Sequence, residues 1–197
     1  MKEDLAALLE ELYQFGIDHD AVHQEKNMRM RNITPATGEF LTFMVHQVQA
    51  KRVLEIGTSN GYSTLWLAAA AQETGGSVTT LEFDAAKANL AHMNFQKSGL
   101  DSVIELIVTD AGLYLQQHEE EFDLIFMDSD RTEYVSWWPM ILRVLRQGGL
   151  IAVDNACSHA EEIQPFLELV QSSNDVKVIR IPMEQGILLI TRAVQVS

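Results

Sequence analysis

From residue 51 onward the chain alternates between two kinds of pattern. Short apolar runs at 53–56, 78–81, 103–108, 124–127 and 150–153 are separated by helical patterns near 62–72, 84–98, 111–118, 133–146 and 159–172. Runs that are apolar on both faces read as strands covered on both sides, so the repeat predicts a parallel sheet with helices on its two faces. Gly148 and Gly149, just before the fifth run, read as a helix-to-strand turn. The last two runs, 176–181 and 187–193, are separated only by residues 182–186. No crossover helix fits there, so these strands pair antiparallel. The expected fold is α/β: five parallel strands plus a C-terminal antiparallel hairpin. No repeat, low-complexity tract or linker interrupts it, so residues 1–197 read as one domain.

Ahead of the alternation, Leu5, Leu8, Leu9 and Leu12 form one apolar helical stripe, to be docked on the core or on another subunit. Residues 18–32 turn polar, with His19, His23, Met28 and Met30, and read as a second helix or a cover. Residues 1–33 are thus an N-terminal helical extension or cover. Thr34 and Pro35 then read as the N-cap and first residue of a helix presenting Phe40, Leu41, Met44, Val45 and Val48.

Of 197 residues, 28 are Asp or Glu and 14 are Lys or Arg, a net charge of −14. That balance excludes nucleic acid as a default partner, because such binding rests on cations neutralising phosphates, and it disfavours anionic membrane surfaces. No run approaches the ~20 apolar residues of a membrane span. The lone Cys157 cannot form an internal disulfide, and no secretory signal is evident, so a cytoplasmic home is expected.

The most informative segment is 54–63, in which Glu55, Gly57, Ser59, Gly61 and Ser63 link the first strand to a helix. In open α/β sheets ligands bind beyond the carboxyl ends of strands, where such a loop lies. Gly57 permits a tight turn, and Gly61 permits close approach of a ligand or a helix. The spacing lacks the third glycine of a dinucleotide fingerprint. The acid at 55 repels pyrophosphate and suits a cationic or amine-bearing ligand instead. Glu82, at the end of the second strand, is placed to accept from both hydroxyls of a ribose. Asp110, after the third strand, can approach a base. Asp128 follows the fourth strand, and Asp154 and Asn155 follow the fifth. In a parallel sheet these converge on the same edge as two carboxylates and an amide, hard oxygen donors suited to Mg²⁺, Ca²⁺ or Mn²⁺. Acids at strand ends are also common without any ligand.

With those motifs in view, the chain resembles class I S-adenosylmethionine-dependent methyltransferases, and within them the cation-dependent O-methyltransferases of the catechol and caffeoyl-CoA type. The likeness spans roughly 33–192 and rests on 34–41, 54–63, 122–128 and the Asp154–Asn155 pair. It implies a Rossmann-like seven-stranded methyltransferase sheet and a metal held by Asp128, Asp154 and Asn155. It also implies a cofactor whose methionine end lies near Ile33, Glu55 and Ser63, its ribose on Glu82 and its adenine near Phe83, Asp110 and Ala111. A homodimer is implied too, with the leucine stripe as one candidate contact.

Two departures stand out. The family usually has lysine three residues after the first metal aspartate, whereas this chain has Arg131, which stays charged and cannot act as a base. Either Arg131 stabilises an oxyanion formed with metal assistance, or the chemistry has drifted, or it is a plain surface residue. In addition, Ile187, Leu188 and Leu189 supply no acid where catechol enzymes use one to hold substrate. The expected activity is methyl transfer to a hydroxyl of a small aromatic molecule, with Asp128 and Arg131 catalytic; Tyr134, Trp137 or Trp138 either line the acceptor pocket or, for at least one tryptophan, pack in the core. The alternatives are a cofactor-binding fold without turnover, a nicotinamide oxidoreductase and, against the charge, an RNA methyltransferase.

Overall fold

The structure is a computed structural model that describes residues 3–25 and 27–194. Its elements follow in the order α1 (Glu3–Val22), α2 (Pro35–Val48), β1 (Arg52–Ile56), α3 (Tyr62–Thr74), β2 (Ser77–Glu82), α4 (Ala85–Ser98), β3 (Ile104–Val108), α5 (Ala111–Gln117), β4 (Phe122–Met127), α6 (Tyr134–Val144), β5 (Leu145–Val153), α7 (Ala160–Ser172), β6 (Val176–Ile181) and β7 (Ile187–Arg192). The strands form one sheet in the order β3-β2-β1-β4-β5-β7-β6. All contacts among β1 to β5 are parallel, and β7 pairs antiparallel with both β5 and β6. This is the expected seven-stranded, Rossmann-like sheet.

Strand periodicity divides the interior into two cores. Val53, Val78, Leu124, Phe126 and Ala152 face α1, α2 and α3, whereas Leu54, Ile56, Leu81, Ile125 and Met127 face α6 and α7. The leucine stripe of α1 belongs to the first core: Leu5, Leu8, Leu9 and Leu12 are buried in a cluster with Leu41, Val45 and Phe95. Its partner is therefore within this chain, which removes it as a dimer contact. The start of α2 is as expected, with Thr34 Oγ1 accepting from the Thr37 amide at 3.1 Å and Pro35 following the cap.

Two boundaries differ from expectation. β5 begins at Leu145, so Gly148 and Gly149 lie inside the strand rather than before it. Opposite them the pairing jumps from Phe122–Leu145 to Leu124–Leu150, and Gly148 at φ 71° absorbs the irregularity. A glycine pair marks either a turn or a bulge, and only the partner strand decides. Second, α1 continues to Val22, and the described residues between it and α2 form no second helix; they run as a strap, in keeping with the other reading, a cover.

Candidate active site at the carboxyl edge of the sheet

β1 and β4 are neighbours in the sheet, while β2 and β5 extend it in opposite directions, which opens a crevice above their carboxyl ends. A cleft of about 930 Å³ fills that crevice, with walls from the glycine loop, Glu82, Asp128, Asp154, the strap and the inner side of α1.

The loop after β1 is shaped by what crowds it. Gly57 has φ 109°, and a methyl group there would collide with the backbone oxygen of Asp128. Gly61, at φ 85°, lies against Phe95 and Ala91 of α4. The close approach that it permits is therefore to a helix, not to a ligand, and it does not line the cleft. Ser59 faces inward; its amide donates to Glu82 Oε2 at 2.8 Å and its hydroxyl to the Met30 carbonyl at 2.8 Å. The other Glu82 oxygen accepts from the Asp84 amide at 2.9 Å.

Glu55 requires a correction. On β1 it alternates with Leu54 and Ile56 and so points beneath the loop toward α3. It is fully buried and takes hydrogen bonds from Ser63 Oγ (2.6 Å), Thr80 Oγ1 (2.6 Å) and Thr64 Oγ1. Burial outweighs those three donors and pushes its carboxyl up to about 7. Glu55 therefore stands behind the cleft wall and orients Ser63, which does face the cavity. The expected adenine contacts also lie outside the cavity lining: Phe83 is 79% exposed, and Asp110 caps α5 through the Leu113 amide at 2.8 Å, next to Ala111. Ile33 is buried and lines the cleft.

The acidic set converges as the register requires, since Asp128 and Asp154 each follow a residue of the Met127–Val153 pair. Burial raises the carboxyl of Asp128, although the charges of Arg131 and Arg31 oppose it. Asp154 is pushed up to about 7 by burial and then by the charge of Asp128. Asn155, at φ 62°, follows directly. Its amide nitrogen donates to Asp154 Oδ2 at 2.8 Å and Asp128 Oδ1 at 3.3 Å, and its oxygen accepts from Ser158 Oγ at 3.2 Å. Two carboxylates that repel each other, with an amide oxygen available on half a turn of the Asn155 side chain, fit a hard divalent cation. Among the described residues no group of three or more His, Cys, Asp or Glu forms a metal cluster, so a cation here depends on that amide.

Arg131 sits in a short 3₁₀ turn, Arg131–Glu133, that caps the same edge. It is not a surface residue: only 7% is exposed, its guanidinium lies 4.0 Å from Asp128 Oδ1 and 3.6 Å from Glu162 Oε2, and its Nε has no hydrogen-bond partner. Ser129 Oγ nearby is also buried without a partner. The Tyr134 hydroxyl holds this loop, accepting from the Ser129 amide at 2.9 Å and donating to its carbonyl at 3.2 Å.

Of the two readings of the aromatic residues, core packing holds and pocket lining is corrected. Tyr134, Trp137 and Trp138 all pack into the second core around Phe166 and are absent from the cleft. Its aromatic surface comes instead from Tyr13 and Tyr62, whose rings stack at 5.8 Å. His19 and His23 stack on each other at 4.0 Å outside the lining, and Met28 is exposed, while Met30 does reach the cleft. How α1 anchors the strap was not visible in the sequence, because a contact from Asp20 to residues ten and eleven positions later has no periodic signature.

Comparison with known proteins agrees with this geometry. A family model described as O-methyltransferase matches residues 3–193. A catechol O-methyltransferase of Niastella koreensis is 38% identical over 135 residues, covering 66% of this chain and 61% of that protein. One from Mycobacterium tuberculosis is 38% identical over 124 residues, covering 62% and 56% respectively. The chain thus spans about three fifths of the length of these relatives. Among solved structures, an O-methyltransferase from Bacillus cereus in complex with SAH is 26% identical with a TM-score of 0.79, over 94% of this chain and 91% of that one. A family match over nearly the whole chain, on a sheet with this strand order and this cleft, establishes that the chain belongs to the O-methyltransferase family.

Proposed function

We propose that this protein transfers a methyl group from S-adenosylmethionine to a hydroxyl of a small catechol-like or phenolic molecule, assisted by a divalent cation. One observation carries this reading. The cleft brings Ser59 and Glu82, suited to a ribose, onto the same edge as Asp128, Asp154 and Asn155, suited to a hard cation. When bound, the cofactor supplies an electrophilic methyl and the cation supplies charge that acidifies a coordinated hydroxyl. Ile33, Ser59, Ser63 and Glu82 hold the cofactor, with Phe83, Asp110 and Ala111 at the outer rim for its base. Glu55 and Gly61 serve it indirectly, by fixing Ser63 and the loop. Gly57 lets β4 carry Asp128 against the loop.

Arg131 contributes fixed positive charge beside Asp128 where oxygen becomes negative, in a buried setting that strengthens the interaction. It cannot take up the proton, so its part is electrostatic. The described part of the strap between α1 and α2 acts as the cover. A single functional domain, a homodimer and a cytoplasmic setting belong to the same proposal. In support of the last, no helix among the described residues is long and apolar enough to cross a membrane.

The test is methyl transfer to catechol with Mg²⁺ or EDTA, alongside thermal shift with S-adenosylhomocysteine and with NADH. Stabilisation by the first nucleoside alone and Mg²⁺-dependent transfer are expected. Asp128→Ala should lose that transfer about a hundredfold or more. Undiminished Mg²⁺-dependent transfer in the variant would remove the metal assignment, and nucleoside binding without transfer to any acceptor would favour a fold that has lost turnover.

A further inference from the structure

The strap holds one feature that the proposed reaction does not use. Three consecutive residues are pinned from three directions. Lys87 Nζ of α4 donates to the Arg29 carbonyl at 2.8 Å, Ser59 Oγ donates to the Met30 carbonyl at 2.8 Å, and Asp20 of α1 accepts from the Met30 and Arg31 amides at 2.7 and 2.9 Å. The Asp20 side chain is only 12% exposed, and Arg29 supplies its counter-charge at 3.5 Å. Under this restraint Arg31 adopts φ 52°, a conformation that a non-glycine residue holds only when its surroundings impose it.

The constrained backbone delivers the Arg31 side chain to the cleft. Arg31 is exposed; its guanidinium makes no hydrogen bond or ion pair within 4 Å among the described residues, and its charge acts on Asp128. A guanidinium whose backbone is fixed at the cleft, near Asp128 and with no protein acceptor of its own, can receive an anionic oxygen group. The apolar part of the cleft lining is Tyr13, Ile17, Ala21, Met30, Ile33 and Tyr62. An aromatic ring finds apolar surface there, and a negative group carried on that ring finds a partner in Arg31.

We propose that Arg31, positioned by Asp20, reads a carboxylate carried by the methyl acceptor, so that the preferred acceptors are hydroxylated aromatic acids rather than neutral catechols. This rests on the proposed function for the identity of the cleft, but its test does not need turnover. Protein saturated with S-adenosylhomocysteine and Mg²⁺ is titrated calorimetrically with 3,4-dihydroxybenzoate and with catechol. A charge-assisted hydrogen bond should make the acid bind roughly tenfold more tightly. In Arg31→Gln the ratio of the two affinities should collapse toward one. In Asp20→Asn, which keeps the arginine and loosens its support, the ratio should fall part of the way, an anion-selective loss that general loosening of the fold would not produce.

Equal binding of the two acceptors by the unaltered protein would overturn the proposal. So would Arg31→Gln weakening S-adenosylhomocysteine and both acceptors alike, since the carboxylate read would then be the one on the cofactor. Methyl transfer, followed separately, reports on the proposed function: acid-selective binding without transfer would sink that reading and leave Arg31 as an anion receptor.

Discussion

At the scale of single residues, Glu55 shows how far a strand position can be from the role its motif suggests. The acid two residues before the first glycine was legible in the sequence, but its direction was not, because the alternation of β1 sets it beneath the loop among hydroxyls. Its titration gives a prediction. With a folded value of about 7 against an ordinary 4.5, the folded state holds a proton that the unfolded chain has lost between those pH values. Stability therefore falls as pH rises through that window, by at most about 1.4 kcal/mol per pH unit and roughly 3 kcal/mol in all. Glu55→Gln should remove that slope, so the difference in unfolding free energy between variant and parent, measured by urea titration from pH 4.5 to 7.5, should grow in the variant's favour. A pH-independent difference would contradict the buried-acid account. Asp128, Asp154 and Asn155 were legible because strand ends announce themselves. Asp20 and Arg31 were not, since their relation passes through an irregular strap.

Among the elements, the two loop glycines and the glycine after α4 separate strain from crowding. Gly61 and Gly99 both have positive φ, but Gly61 faces Phe95 and Ala91, while nothing lies within 4 Å of a methyl built on Gly99. Gly99→Ala should cost about 1 kcal/mol, from backbone conformation alone, and Gly61→Ala more than about 2 kcal/mol, because α4 must also give way. Denaturant midpoints would read the contrast; equal costs would mean that α4 yields freely. The element pattern was largely readable from apolar runs, since buried strands and their covering helices differ in period. The failure at Gly148–Gly149 is instructive. A bulge depends on the partner strand, and local sequence carries no information about Phe122 and Leu124 lying opposite. The strap was legible as a helix or a cover, but its anchoring was not, since it is held by side chains distant in sequence rather than by its own pattern.

For the whole molecule, the charge of −14 is spread far beyond the few acids at the cleft. Like charges at that density oppose compaction, and mobile ions relieve the repulsion. Raising NaCl from about 10 to about 200 mM should therefore lift the thermal midpoint by about 2–5 °C. A midpoint that falls with salt would show that attractive pairs such as Asp123 with Arg146 dominate instead. The strand order has a further consequence, one of timing. β7 follows every other strand along the chain, yet it occupies an interior place between β5 and β6. As synthesis proceeds at about 5–20 residues per second, β5 is exposed with an open edge, and β6 emerges with no neighbour to receive it. The strand that leads into Asp154 and Asn155 therefore keeps one unpaired edge until β7 arrives to lie between β5 and β6.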